Sequence, residues 1–151
     1  MCNEAADETL PEHRLAAKAA RQRVCERDLE REIYCAAVIH GLTQRQISGL
    51  VGNLSQPTIQ RILRRFAEDT TQLDVKPAEI IDQRTAGMIT TDEMMEQLVG
   101  TTCSFGEVIR IDGVASDAYT AGDWDDIEAA YYRGQLCDEE FRRLAVHQTS
   151  G

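Results

Sequence analysis

Aromatic residues are scarce in this chain of 151 residues, with one Trp, four Tyr and three Phe. That scarcity argues against an aromatic-rich β-sandwich and against a sheet that stacks bases. No apolar run approaches the roughly 20 residues a bilayer span needs, so no membrane partner is expected. The N-terminal stretch MCNEAADETLPEH is acidic and polar. It lacks a basic n-region followed by an apolar segment, so it does not read as a secretory signal. The five cysteines, Cys2, Cys25, Cys35, Cys103 and Cys137, are odd in number and widely spaced, with no C-x-x-C. They are expected to be reduced thiols of a cytoplasmic protein, small hydrophobes more than crosslinks. His13, His40 and His147 stand apart from one another, and no zinc-ligand spacing is visible.

Signatures of catalysis are missing as well. There is no Ser-His-Asp arrangement, Walker sequence or Gly-rich phosphate loop, and no D-x-D-x-D-G calcium spacing. No enzymatic activity, cofactor or metal is therefore expected. The acidic groups Asp123, Asp125, Asp126 and Glu128, and Asp138, Glu139 and Glu140, are expected at helix N-termini and on solvated faces.

The most informative absence is local. The net charge is -10, yet residues 33–66 contain no Asp or Glu and do contain Arg45, Arg61, Arg64 and Arg65. Residues 1–66 carry ten basic and eight acidic side chains, and residues 67–151 carry six and eighteen. Affinity for a polyanion depends on the patch that faces it, not on the molecular total.

What is present reads mainly as helix. Residues 1–10 are expected to form a disordered tail. From Pro11, a residue suited to a first helical turn, the chain is rich in Ala, Leu, Arg and Glu. One long helix or two consecutive ones are expected, ending at Gly41, with Leu15, Ala19, Leu29, Ile33 and Ala37 as the apolar stripe. The arginines of this stretch read as a solvated face, the other reading being phosphate contact or dimerisation. Thr43 and Gln46 form a capping box for the next helix, which is expected to bury Ile47, Leu50 and Val51. Gly52-Asn53 breaks it, since both residues tolerate positive φ, and Leu54 is expected inside the turn. Ser55 caps a further helix with Pro57 in its first turn. That helix is expected to bury Ile59, Ile62, Leu63 and Phe66 and to expose a polar, basic face.

Beyond Glu68 the basic character stops, and residues 69–77 read as a linker. Residues 78–100 and 125–147 then match at an offset of 47: Gly87 with Gly134, Ile89 with Leu136, Glu93 with Glu140, Met94 with Phe141. Each reads as helix, Gly stop, short apolar turn, N-cap and second helix, an αα-hairpin used twice. Between them, Val108–Ile111 and the Asp112-Gly113 turn signal leave a small β-hairpin and an irregular loop as alternatives for 101–124. Trp124 and Tyr119 are expected to anchor that segment onto the hairpins. The expected fold class is thus mainly α: a helix-turn-helix domain over 11–68, the linker, and an acidic helical-hairpin domain over 78–151 for partner binding or dimerisation.

The stretch Thr43–Leu63 resembles the helix-turn-helix of bacterial transcription regulators. Thr43, Gln44, Ile47, Ser48, Val51, Gly52, Ser55, Thr58, Ile59, Arg61, Ile62 and Leu63 fall on the T-Q-x-x-I-(small)-x-x-φ-G-…-S-x-x-T-φ-x-R-φ-L pattern. The turn departs from it, holding two residues, Asn53 and Leu54, where one is usual. The resemblance implies sequence-specific binding of double-stranded DNA by a homodimer, with the second helix in the major groove. Gln56, Gln60 and Arg61 are the expected base readers, and Thr58 the contact to a thymine methyl or a phosphate. Ser55 caps the helix, Arg64 and Arg65 are expected at backbone phosphates, and Gln44 and Arg45 at phosphate beside the preceding helix N-terminus. The Gly-x-(Ile/Leu)-x-x-(Asp/Glu)-Glu pattern of the hairpins is similar to segments of some bacterial antitoxins and regulators, and no binding residue is carried over from it. A repressor of its own operon follows, in its stronger form an antitoxin of a toxin-antitoxin system whose acidic half binds a basic toxin. The alternative is a protein-interaction module of the same fold that does not read DNA.

Overall fold

The computed structural model describes residues 10–101, 107–111, 114–120 and 122–150. The expected disordered tail therefore lies outside the described residues, save Leu10. The described chain is mainly helical: α1 (Pro11–Val38), α2 (Gln44–Val51), α3 (Gln56–Glu68), α4 (Pro77–Thr85), α5 (Thr91–Val99), α6 (Asp123–Tyr132) and α7 (Asp138–Ser150). A short antiparallel pair, β1 (Glu107–Ile111) with β2 (Val114–Thr120), aligns Ile111 with Val114 and Glu107 with Thr120. Of the two sequence alternatives for this segment, the paired one is present. Among the described residues no helix is long and apolar enough to cross a membrane.

The chain divides into two compact units, Gln22–Val75 and Met1–Arg21 with Lys76–Gly151. Helix α1 is continuous, and its residues are shared between them. The buried residues of α1 depart from the expected stripe. Leu15 and Leu29 are exposed at 72% and 40%, whereas Ala20, Val24 and Ile33 are buried. At 3.6 residues per turn, Val24 and Ile33 lie half a turn apart around the axis. The buried positions of α1 therefore do not form one stripe.

In the unit Gln22–Val75 the core consists of Ile33, Ile47, Ile59, Ile62 and Phe66, with Tyr34, Val51, Leu54, Leu63 and Leu73 packed against it. Tyr34 and Phe66 meet edge to face, their centroids 5.6 Å apart. Residues 69–77, the stretch read as a linker, contain a short turn and the boundary between the two units. A 3₁₀ turn, Thr70–Leu73, is capped by Asp69, whose carboxylate accepts from the Thr71 N–H at 3.1 Å. Arg31 of α1 donates to the Leu73 carbonyl at 3.0 Å. Such a tie was invisible in composition because its partners are 42 residues apart.

The other unit contains the two copies seen at the offset of 47. Each first helix ends in the same arrangement. Gly87 and Gly134 take φ of 76° and 80°, a conformation glycine adopts without penalty. Met88 N–H reaches back to the Gln83 carbonyl, and Gln135 N–H to the Ala130 carbonyl, both at 2.9 Å. Helix α5 starts with a full capping box between Thr90 and Glu93. In the second copy Cys137 stands where Thr90 does. Glu140 still accepts from the Cys137 N–H at 2.9 Å, the half of the box that a carboxylate supplies. Ile80, Ile81, Met94, Met95, Leu98, Trp124, Ile127, Leu136 and Leu144 form a common core. Trp124, at the start of α6, belongs to this helical core. Its indole N–H donates to Glu128 at 2.9 Å. The side chain of Tyr119 lies outside the described residues.

A buried polar network ties the copies together. Arg84 of α4 donates to Glu140 of α7 at 2.7 Å, to the Thr91 hydroxyl at 3.2 Å and to the Gln135 carbonyl. Gln135 in turn donates to Asp82 at 3.0 Å. Asp82, Glu79 and Glu140 are almost fully buried, and none of the buried side-chain polar atoms described lacks a hydrogen-bond partner. Cys25 and Cys35 are free thiols. Cys137 is disulfide-bonded, a departure from five reduced cysteines.

Candidate nucleic-acid interface

The exposed face of α3 is set by its buried one. Ile59, Ile62, Leu63 and Phe66 fall on one side of the helix, with three of the four buried. At 100° per residue, Arg61 and Arg64 stand opposite them. Gln56 and Gln60 occupy one flank, and Thr58 and Arg65 the other. All of these but Thr58 are exposed. From Gln56 to Arg64 this face is about 12 Å long, close to the width of a B-DNA major groove.

The helix N-terminus is locked by its own side chains. Ser55 caps α3, its hydroxyl accepting from the Thr58 N–H at 3.4 Å. The Ser55 and Thr58 hydroxyls are 3.0 Å apart, and Arg61 donates to Thr58 Oγ1 at 3.1 Å. Ser55, Thr58 and Arg61 therefore form one chain that lays the Arg61 guanidinium along the first turn. Such a side chain loses less freedom when it meets a ligand. Thr58 is half-buried and engaged on both sides, so its hydroxyl positions Arg61 more than it reaches outward.

Helix α2 presents Thr43, Gln44, Arg45 and Gln46 at its start. Thr43 accepts from the Gln46 N–H at 3.1 Å, and Gln46 Oε1 accepts from the Thr43 N–H at 2.8 Å. Gln46 is thereby consumed in the cap, while Gln44 is half-buried and Arg45 exposed. Leu50, expected inside, is 77% exposed. The short helix turns Ile47, Ser48 and Val51 inward, and Leu50 lies beyond that edge. The extra residue in the turn has a counterpart here too. Gly52 takes φ of 87°, and the Ser48 hydroxyl donates to the Leu54 carbonyl at 2.6 Å. This bond spans the turn and closes it with Leu54 half-buried beneath.

Of the expected phosphate ligands, Arg65 is placed differently from Arg64. Arg65 is ion-paired with Glu30 of α1, and its guanidinium lies 5.0 Å from the Phe66 ring centroid. Arg64 and Arg45 are exposed. Three residues that matter here escaped sequence reasoning: Ser48, Glu30 and Arg31. Ser48 falls on the small-residue position of the pattern, a faint signal. The other two act across 35 and 42 residues, and local spacing has no access to that.

Among the described residues no group of three or more His, Cys, Asp or Glu side chains could hold a metal ion. No protein-family model, curated protein or solved structure matches the chain.

Proposed function

We propose that this chain is a sequence-specific DNA-binding transcriptional regulator, with α2 and α3 acting as a helix-turn-helix and α3 entering the major groove. The supporting observation is the outward face of α3: Gln56, Gln60, Arg61 and Arg64 on a helix whose whole neighbourhood in sequence, residues 33–66, is free of carboxylates. Arg61 suits a guanine edge, and Gln56 and Gln60 suit adenine edges. Arg45 and Arg64, with Gln44, contact backbone phosphate. The protein acts as a homodimer, because paired half-sites call for two copies.

The acidic unit gives the second half of the reading. Residues 76–151 carry fifteen acidic and six basic side chains, a surface suited to a basic protein partner. An antitoxin that represses its own operon combines both halves.

The test is a mobility-shift titration with the promoter upstream of its own gene. Specific binding should weaken as salt rises, and Arg61→Ala should cost about 1–3 kcal/mol. A protein that ignores both that DNA and random duplex at low salt rejects the reading. The exposed Leu50 and the net charge of -10 favour one alternative, a protein-interaction module that leaves DNA alone. Its partner would bind equally well after Gln56→Ala, Gln60→Ala and Arg61→Ala combined.

A further inference from the structure

A second basic surface lies in the unit that is otherwise acidic. Arg14, Lys18 and Arg21 recur at i, i+4 and i+7 on α1, so they share one face. With Ala17 and Ala86 they line a groove of about 360 Å³. All three cations are exposed, and none has a carboxylate partner among the described residues. That is unexpected on electrostatic grounds. Residues 76–151 carry fifteen acidic side chains, and Arg84 of the same unit is fully paired. Nor do the cations serve the end of α4. Its last carbonyls, those of Asp82, Gln83 and Arg84, already accept from Ala86, Met88 and Gly87 N–H groups.

The composition of the groove narrows what fits it. Three cations along about 10 Å of helix match consecutive negative groups, not a single carboxylate. Among the described residues the rest of the lining is alanine, which leaves room and offers no ring for a base to stack on. We infer that this groove binds a run of consecutive phosphate groups, recognised by charge and spacing and not by any base attached to them. The phosphates belong either to a nucleic-acid backbone or to a free polyphosphate or nucleotide. This inference does not rest on the DNA reading of α3.

Calorimetric titration of the full chain with inorganic tripolyphosphate at low salt tests it. Wild-type protein should bind, and Arg14→Gln, Lys18→Gln and Arg21→Gln combined should weaken binding at least tenfold. Arg14→Lys with Arg21→Lys should retain it, and Ala86→Phe should block it by filling the groove. Helical circular dichroism checks that each variant is folded. A second arm adds random duplex DNA to the Arg61→Ala, Arg64→Ala protein. Competition with tripolyphosphate assigns the phosphates to nucleic acid, and independence assigns them to a free polyphosphate. Wild-type protein that does not bind tripolyphosphate, or a triple variant that binds within twofold of it, overturns the inference. Either result leaves the operator test of α3 unaffected.

Discussion

Arg65 of α3 is ion-paired with Glu30 of α1. The contact joins the end of the proposed recognition helix to the helix behind it, and it occupies one of the cations that the sequence offers to phosphate. Arg64, its neighbour, carries no such restraint among the described residues. On the proposed reading the two adjacent arginines differ in role. Replacing Arg64 by Ala should reduce affinity for any duplex and lower the salt slope by about 0.9 per lost phosphate contact. Replacing Glu30 by Gln should do the reverse. It releases Arg65 and removes a repelling carboxylate, so affinity for random duplex should rise about 2–5-fold, as fits an exposed pair. Salt titrations of both variants by fluorescence anisotropy check this, and equal slopes for the two would contradict it.

The Ser48 hydroxyl that closes the turn onto the Leu54 carbonyl is part-buried. Ser48→Ala removes the donor and leaves that carbonyl short of a partner. Urea denaturation should report a loss of about 1–2 kcal/mol. On the proposed reading promoter affinity should fall with it, since the turn sets the angle between α2 and α3. Unchanged stability would mean that water replaces the hydroxyl without cost.

Arg84 and Glu140 retain 13% and 7% of their side-chain exposure. Removing one partner leaves the other charge buried and uncompensated. Arg84→Met should cost about 3–5 kcal/mol. Arg84→Met with Glu140→Leu should cost much less than the sum of the single changes, because no charge is then stranded. The residual loss reports the cap that Glu140 gives the Cys137 N–H together with the bonds Arg84 gives to Thr91 and the Gln135 carbonyl. A double-mutant cycle in urea measures both terms, and strict additivity would contradict the coupling.

The Tyr131 hydroxyl donates to Asp138 at 2.6 Å. That hydrogen bond, and then the carboxylate charge itself, hold the Tyr131 phenol above its ordinary range. Because the folded state favours the protonated phenol, its contribution to stability is complete below about pH 10, the unfolded value. It is lost as pH rises through the higher folded value. A phenolate absorbance titration should show one tyrosine ionising late, and that late step should disappear in Tyr131→Phe or Asp138→Asn.

Much of the local structure follows from residues within a turn of one another. The capping boxes at Thr43 and Thr90, the Ser55 cap and the glycine stops at 87 and 134 need only near neighbours. The same holds for the duplication, because both copies repeat those short signals at one offset. The buried face of α3 was legible for a similar reason: one helix with one apolar stripe has one way to turn. Tertiary structure alone decided the rest. Leu50 on α2 and Leu15 on α1 are as apolar as their buried neighbours, and only the position of adjoining helices leaves them in water. Glu30–Arg65 and Arg84–Glu140 join residues 35 and 56 apart, a separation over which side-chain periodicity carries no information. So the sequence by itself determined which side chains α3 turns outward, through the periodicity of its core. The fold determined which of those arginines remain available, because charge pairing depends on what a distant segment brings within reach.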